Sequence, residues 1–204
     1  MIVIVDYGVG NLFSLKSSFA AIGADVIVSS EAEVIRSADK IILPGVGAFE
    51  DAAKKLSDSG LGDLLCSLAA EGKYIMGICL GMQLLFEKSL EYGSHKGLGL
   101  IKGTVKPIAE VIPADYKIPH IGWNGLKLKG EKSPIFSKIK EGDYVYFVHS
   151  FYAAECEENT IATAEYGAEL TAAVQNNNVI GCQFHPEKSG EVGLKILSAF
   201  CELE

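Results

Sequence analysis

Met1 to Val5, MIVIV, is an unbroken apolar run, the pattern of a strand buried on both faces. The turn DYGVGN at Asp6 to Asn11 leads into a helix over about residues 12–22, which Gly23 stops. A strand at 26–28, a short helix near 32–37 and a strand at 40–43 ending at Pro44 follow. Strand, helix, strand, helix predicts a parallel sheet with helices on both faces. After Pro44-Gly45-Val46-Gly47 the pattern is helical through much of 48–70, with a break at 60–62. Tyr74 to Ile78 is then a short apolar strand, Cys79 occupies a sharp turn, and Met82, Leu85 and Phe86 recur at i, i+3, i+4 on one face of a following helix.

Beyond that helix the rhythm changes to short strands. A glycine-rich loop from Gly93 runs into a strand at about 98–105. Residues 118–122 and 126–128 read as a hairpin around Trp123-Asn124-Gly125, and 144–148 alternates as a strand. Strands at 161–166 and 170–175 precede Asn176-Asn177-Asn178, a turn tolerant of positive φ, and 179–184 is the strand that delivers His185. The last helix, about 190–203, gathers Val192, Ile196, Ala199 and Phe200 on one side and closes the fold.

At 204 residues, without repeats, low-complexity tracts or linkers, the chain reads as one domain spanning 1–204. Apolar residues make up 49% and the net charge is -8, which argues against a nucleic-acid partner. No basic leader precedes Asp6 and no run approaches the roughly 18 apolar residues of a membrane helix, so an unexported, cytoplasmic protein is expected. Five cysteines without a CxxC pair fit a reducing compartment. Cys182 and His185 form an isolated CxxH, but no second ligand pair stands at metal spacing. Gly8-Val9-Gly10 fails as a dinucleotide loop because the third glycine of GxGxxG would fall at Phe13. Neither a metal nor another cofactor is expected.

The candidate chemistry lies at Cys79. Gly77 and Gly81 flank it as GxCxG, the thiol counterpart of the nucleophile elbow, in which a strained turn lifts the nucleophile above the sheet. A free cysteine is ordinarily a small buried hydrophobe, and the paired glycines reverse that expectation. The sulfur would also stand at a helix N-terminus, which favours thiolate. A thiolate nucleophile needs a base. In QFHPEKS, His185 and Glu187 are two apart on extended chain and point to one side, with Pro186 restricting the backbone between them. Glu187 can then hold the imidazole in the tautomer that accepts the thiol proton. His95, His120 and His149 have no carboxylate at such spacing and read as structural histidines. The glycines around Val46 let backbone N–H groups face the elbow, and with the Leu80 amide they can form an oxyanion hole. The same PGVG segment also reads as a plain turn.

GICLGMQLLFE followed about a hundred residues later by QFHPEKS resembles the class I (triad) glutamine amidotransferases. More narrowly, DYGVGNLFSLKSSF, LPGVGAFEDA, GLGLIKGTV, PHIGWN, YFVHSFY and the HPEKSG ending resemble the glutaminase subunits of imidazole glycerol phosphate synthase in histidine biosynthesis, over about residues 4–200. The resemblance implies a flavodoxin-like, three-layer α/β/α fold with a mostly parallel central sheet and additional antiparallel strands in the second half. It implies Cys79 as nucleophile, His185 as base and then acid, Glu187 as its orienter, and Val46 and Leu80 as oxyanion-hole amides. Gly47, Gln83, Glu91, Ser150 and Phe151 would line the site for L-glutamine; family members often carry Tyr where Phe151 stands. The implied partner is a (β/α)8-barrel cyclase that accepts the ammonia, met through Asn11, Trp123 and Lys188. On local chemistry alone those three read as a helix cap, a core aromatic and a solvated lysine.

Rival readings differ in class. Related glutaminases serve other acceptor pathways, among them surface-sugar, anthranilate and pyridoxal phosphate synthesis, and PHIGWN with YFVHSFY favours histidine biosynthesis. A non-catalytic binding domain on the same fold is disfavoured by the intact Cys79, His185 and Glu187, and a papain-like peptidase by the residues around the cysteine.

Overall fold

The apolar run at the N-terminus becomes a strand because both of its faces are covered. In the computed structural model, which describes residues 1–204, β1 (Ile2–Val5) sends Ile2 and Ile4 into one apolar core and Val3 and Val5 into the other. Helix α1 (Leu12–Ala21) follows, then β2 (Val26–Ser29), α2 (Ala32–Arg36) and β3 (Lys40–Leu43). Helices α3 (Phe49–Asp58) and α4 (Leu61–Ala70) lead to β4 (Tyr74–Ile78) and α5 (Leu80–Leu84). Strands β5 (Phe86–Ser89), β6 (His95–Lys96), β7 (Ile101–Pro107), β8 (His120–Leu128), β9 (Tyr144–His149) and β10 (Phe151–Ala154) come next. Strands β11 (Thr160–Glu165), β12 (Glu169–Asn176) and β13 (Val179–Cys182) precede the final helix α6 (Gly190–Cys201).

Nine strands form one sheet in the order β2-β1-β3-β4-β13-β12-β11-β8-β9. Its first five strands are mutually parallel and the rest pair antiparallel. Helices α2 to α5 cover one face, with Phe49, Leu56, Leu65 and Leu68 as their buried side chains. Helices α1 and α6 cover the other through Leu15, Phe19, Ile196, Leu197 and Phe200. This is the three-layer α/β/α class expected from the sequence. A smaller sheet, β10-β7-β5-β6, packs beside the first core.

Parallel pairing brings the carboxyl ends of β1, β3, β4 and β13 to one edge, where sites in such sheets gather. The register of β4 on β13 ends at Ile78 opposite Cys182, so Cys79 and Gln183 emerge side by side. At the other end of the same strands the Asn178 side-chain amide donates to the carbonyls of Ala69 and Lys73 at 2.9 and 2.7 Å, pinning the β12–β13 turn to the end of α4.

Three expectations need correction. The helix after Cys79 stops at Leu84, and Phe86 begins a strand instead, pairing with Ile101 of β7. Trp123-Asn124-Gly125 is no hairpin: β8 runs straight through it from His120 to Leu128, paired with β9 along 120–125. Gly125 serves close approach, since a Cβ there would stand 3.1 Å from the Gly142 carbonyl oxygen. The strand expected at 98–105 begins only at Ile101, because the amides of Leu98, Gly99 and Leu100 bond back to 84–86.

Candidate active site

Cys79 sits at φ 55°, ψ −113°, in the left-handed half of conformational space that a non-glycine residue occupies only under constraint. The constraint comes from both sides. Its N–H donates to the Cys182 carbonyl at 2.7 Å, and the flanking glycines allow the corner to close. A Cβ on Gly77 would meet the Gly81 carbonyl oxygen at 2.5 Å, and one on Gly81 would meet the Leu43 oxygen at 1.9 Å. Only hydrogen fits at either position, which is the physical content of GxCxG.

His185 follows β13 and its N–H donates to the Tyr146 carbonyl at 3.0 Å. Its Nδ1 lies 2.8 Å from Glu187 Oε1, both side chains being almost wholly enclosed, at 3% and 2% exposure. With Nδ1–H directed at the carboxylate, Nε2 is left to the Cys79 sulfur. Burial opposes a charge on the ring, but the hydrogen bonds with Cys79 and Glu187 and their charges outweigh it, raising His185 from 6.5 to about 9. The folded chain therefore binds this proton more tightly than the unfolded one. Its contribution to stability is complete below pH 6.5 and is lost as pH rises to about 9. Glu187→Gln removes one cause of the raise, so the His185 titration midpoint, read by NMR, falls back toward 6.5.

A cavity of about 420 Å³ opens over Cys79 and His185. Val46, Gly47, Leu80, Gln83, Glu91, Ser150 and Phe151 all line it, although they come from four separate stretches of chain. Several are held by backbone. Glu91 Oε2 accepts from the Phe49 N–H at 2.8 Å, tying the start of α3 to the far wall. Gln83 Nε2 donates to the Phe151 carbonyl at 3.2 Å. That same carbonyl accepts from His149 Nδ1 at 2.7 Å, so residue 151 is fixed here through its main chain. The Val46 amide, in the loop between Leu43 and Phe49, donates to no group of the chain. Tyr7 braces that loop with a hydroxyl bond to Pro44 at 2.7 Å.

Lys188 lies at the cavity rim, its Nζ 6.0 Å from the Tyr146 ring centroid. Trp123 is not a core residue: it is 51% exposed on β8, edge-on to Tyr146. Asn11 caps α1, accepting from the Ser14 N–H at 3.2 Å.

Sequence reasoning missed Tyr92, Pro119, Val148 and His149 as residues that line the cavity, although His149 is the buried, hydrogen-bonded histidine it expected. Burial pushes His149 down to about 4, and its Nε2 bonds to His120 Nδ1 at 3.0 Å. It missed Gln183 as well. The signal there was a polar residue in the apolar run VIGCQF, in phase with His185 at period two.

An elbow cysteine, a carboxylate-bound histidine and a small-molecule cavity thus meet at the carboxyl edge of the parallel sheet. The chain belongs to the class-I glutamine amidotransferase family, whose model matches residues 3–202. Solved structures agree on the fold: a glutamine amidotransferase superposes with a TM-score of 0.75 over 98% of this chain and 100% of its own, at 19% identity. PurLQS from Thermotoga maritima gives 0.73 over 98% and 96%, at 21% identity. Within the family the chain's place is with the HisH subunits of imidazole glycerol phosphate synthase. That of Oceanobacillus iheyensis is 47% identical over 100% of this chain and 99% of its own, and that of Lactococcus lactis subsp. lactis 50% identical over 98% of each. The chain is thus an enzyme subunit of histidine biosynthesis that hydrolyses glutamine. No helix is long and apolar enough to cross a membrane.

Proposed function

We propose that Cys79, His185 and Glu187 hydrolyse the side-chain amide of L-glutamine, and that the ammonia passes directly to a (β/α)8-barrel cyclase, HisF, in a heterodimer. The reading that carries this is the enclosed His185–Glu187 pair beside the strained Cys79 at the floor of one cavity. The Cys79 sulfur forms a bond to the carboxamide carbon, and its proton resides on His185 Nε2. The tetrahedral oxyanion is met by the amides of Val46 and Leu80. Collapse breaks the C–N bond as His185 gives its proton to nitrogen, releasing ammonia and leaving a γ-glutamyl thioester. Water then adds to the thioester, its proton going to His185. Rupture of the C–S bond frees glutamate and returns the proton to the site.

Ammonia that escapes into neutral water becomes ammonium and is no longer a nucleophile, so the hydrolysis is useful only with an acceptor seated on the cavity mouth. Trp123, Ile121 and Tyr144 are large, exposed apolar side chains on the adjoining β8–β9 edge, and Lys188 and Asn11 complete the proposed contact. In the assembly the cyclase adds the ammonia to its nucleotide substrate, which is cleaved to imidazole glycerol phosphate and an aminoimidazole carboxamide ribotide.

The test is ammonia release from glutamine by the chain alone and with a barrel cyclase carrying its nucleotide ligand. Strong stimulation by the liganded cyclase is expected; an unchanged rate overturns the assignment of the partner. Trp123→Ala should weaken cyclase binding by about 2 kcal/mol, roughly 30-fold in Kd, without altering hydrolysis by the isolated chain.

A further inference from the structure

Helix α5 has only five residues, so little aligned backbone dipole stands behind the Cys79 sulfur. One carbonyl beside it works against a thiolate. Cys79 Sγ lies 3.9 Å from the Val148 oxygen, to which a thiol can donate and toward which a thiolate is repelled. The His185 imidazolium offsets part of this, while Tyr7 and His149, the other titratable groups around the sulfur, supply no cation; a neutral donor at the sulfur adds to the imidazolium in holding an anion.

Gln183 is fully buried, with its N–H fixed to the Ala172 carbonyl at 2.8 Å and its Nε2 3.8 Å from Cys79 Sγ. The direction of that amide is dictated by a chain of partners. The Phe151 carbonyl can only accept, so the group Gln83 turns toward it is its NH₂, at 3.2 Å. The same NH₂ donates to Gln183 Oε1 at 3.0 Å. With its oxygen thus engaged, Gln183 has only its NH₂ to present to the sulfur. Reversing the amide would set donor against donor at Gln83 and oxygen against sulfur at Cys79. From its fully buried position beside the sulfur, an N–H donor favours the anion over the thiol.

We propose that Gln183 is a catalytic residue of the glutaminase site, its side-chain amide being the donor that holds Cys79 as thiolate. The proposal rests on the reading of Cys79 as nucleophile and extends it. The test follows carbamidomethylation of Cys79 by iodoacetamide, site by site in peptide maps because Cys66 and Cys201 are also partly exposed, across about pH 5 to 9. Gln183→Met keeps the volume and loses the donor. Its Cys79 alkylation at neutral pH should slow about tenfold, and the midpoint of the profile should move about one unit upward. Gln183→Glu, which sets a carboxylate against the sulfur, should move it further in the same direction. The kcat for glutamine hydrolysis should fall with the alkylation rate while KM holds. In the unaltered chain, the Gln183 side-chain amide resonances should shift with the same midpoint as the alkylation, a readout that needs no variant to fold. Profiles that superimpose on the parent's, or amide resonances that do not move, overturn the role of Gln183. Hydrolysis that survives in Cys79→Ala would instead overturn the nucleophile assignment, and the alkylation profiles would still judge the donor.

Discussion

Cys79→Ala releases ammonia from glutamine at about one ten-thousandth of the parent rate or less, the loss expected when the proposed nucleophile of a covalent mechanism is removed. The rate is read by coupled detection of glutamate, with and without the cyclase, and neither condition restores it. Binding to the cyclase is retained, because the sulfur lies at the floor of the cavity and not on the exposed β8–β9 edge. The corner also makes a second reading possible. Alanine keeps the strained φ of 55° at this position, whereas glycine adopts it without cost. Cys79→Gly should therefore be as inactive as Cys79→Ala yet more stable than it by about 1 kcal/mol in denaturant unfolding. If the glycine variant is instead the less stable of the two, the backbone at residue 79 is not strained.

Gly81→Ala should be severely damaging. Its Cβ would stand 1.9 Å from the Leu43 carbonyl oxygen and 3.1 Å from the carbonyl carbon of Pro44, both main-chain atoms in the sheet edge or the loop beside the cavity. Neither can withdraw without moving β3 or the elbow. A cost of about 4 kcal/mol is expected, of the size seen when backbone itself must shift. For a chain of this size that lowers Tm by about 10 °C. Hydrolysis should fall too, because the displaced segment carries Val46. Gly62→Ala is the control: it lies within α4 and meets first the flexible tip of Leu98 at 3.3 Å, so it should change stability by less than about 1 kcal/mol.

The parallel half of the fold was legible because its local and global signals agree. Strands β1 and β4, and β3 after Lys40, are apolar because helices cover both of their faces, and glycine or proline follows each within a few residues. The failures have particular causes. Leu84, Leu85 and Phe86 satisfy a helical period, but the Leu85 carbonyl accepts from the amides of Leu100 and Ile101, and this long-range pairing turns the chain into β5. Asn124-Gly125 looks like a turn because that dipeptide usually supplies one. Here the Asn124 side chain is committed along its own strand and across to β11, its Oδ1 at 2.7 Å from His120 Nε2 and its Nδ2 donating to the Glu165 carbonyl at 2.8 Å. The residues around Cys79 and those around His185 were each readable from local spacing. That Gln83, Glu91 and Ser150 would meet them in one cavity was not, since their meeting depends on the pairing of β4 with β13 and on the β9–β10 bend, neither of which leaves a periodic trace.

The amide of Asn178 ties the tip of a hairpin to the base of β4, a full strand length from the cavity. The two strands leaving that tie are each only four or five residues long and end at Cys79 and Gln183. Their lengths act like a pair of matched rulers laid from a common zero. A residue inserted near the tip would slide one ruler by about 3.3 Å against the other and turn every side chain beyond it to the opposite face. The alignment of sulfur with imidazole is thus calibrated at the quiet end of the sheet, where no chemistry occurs.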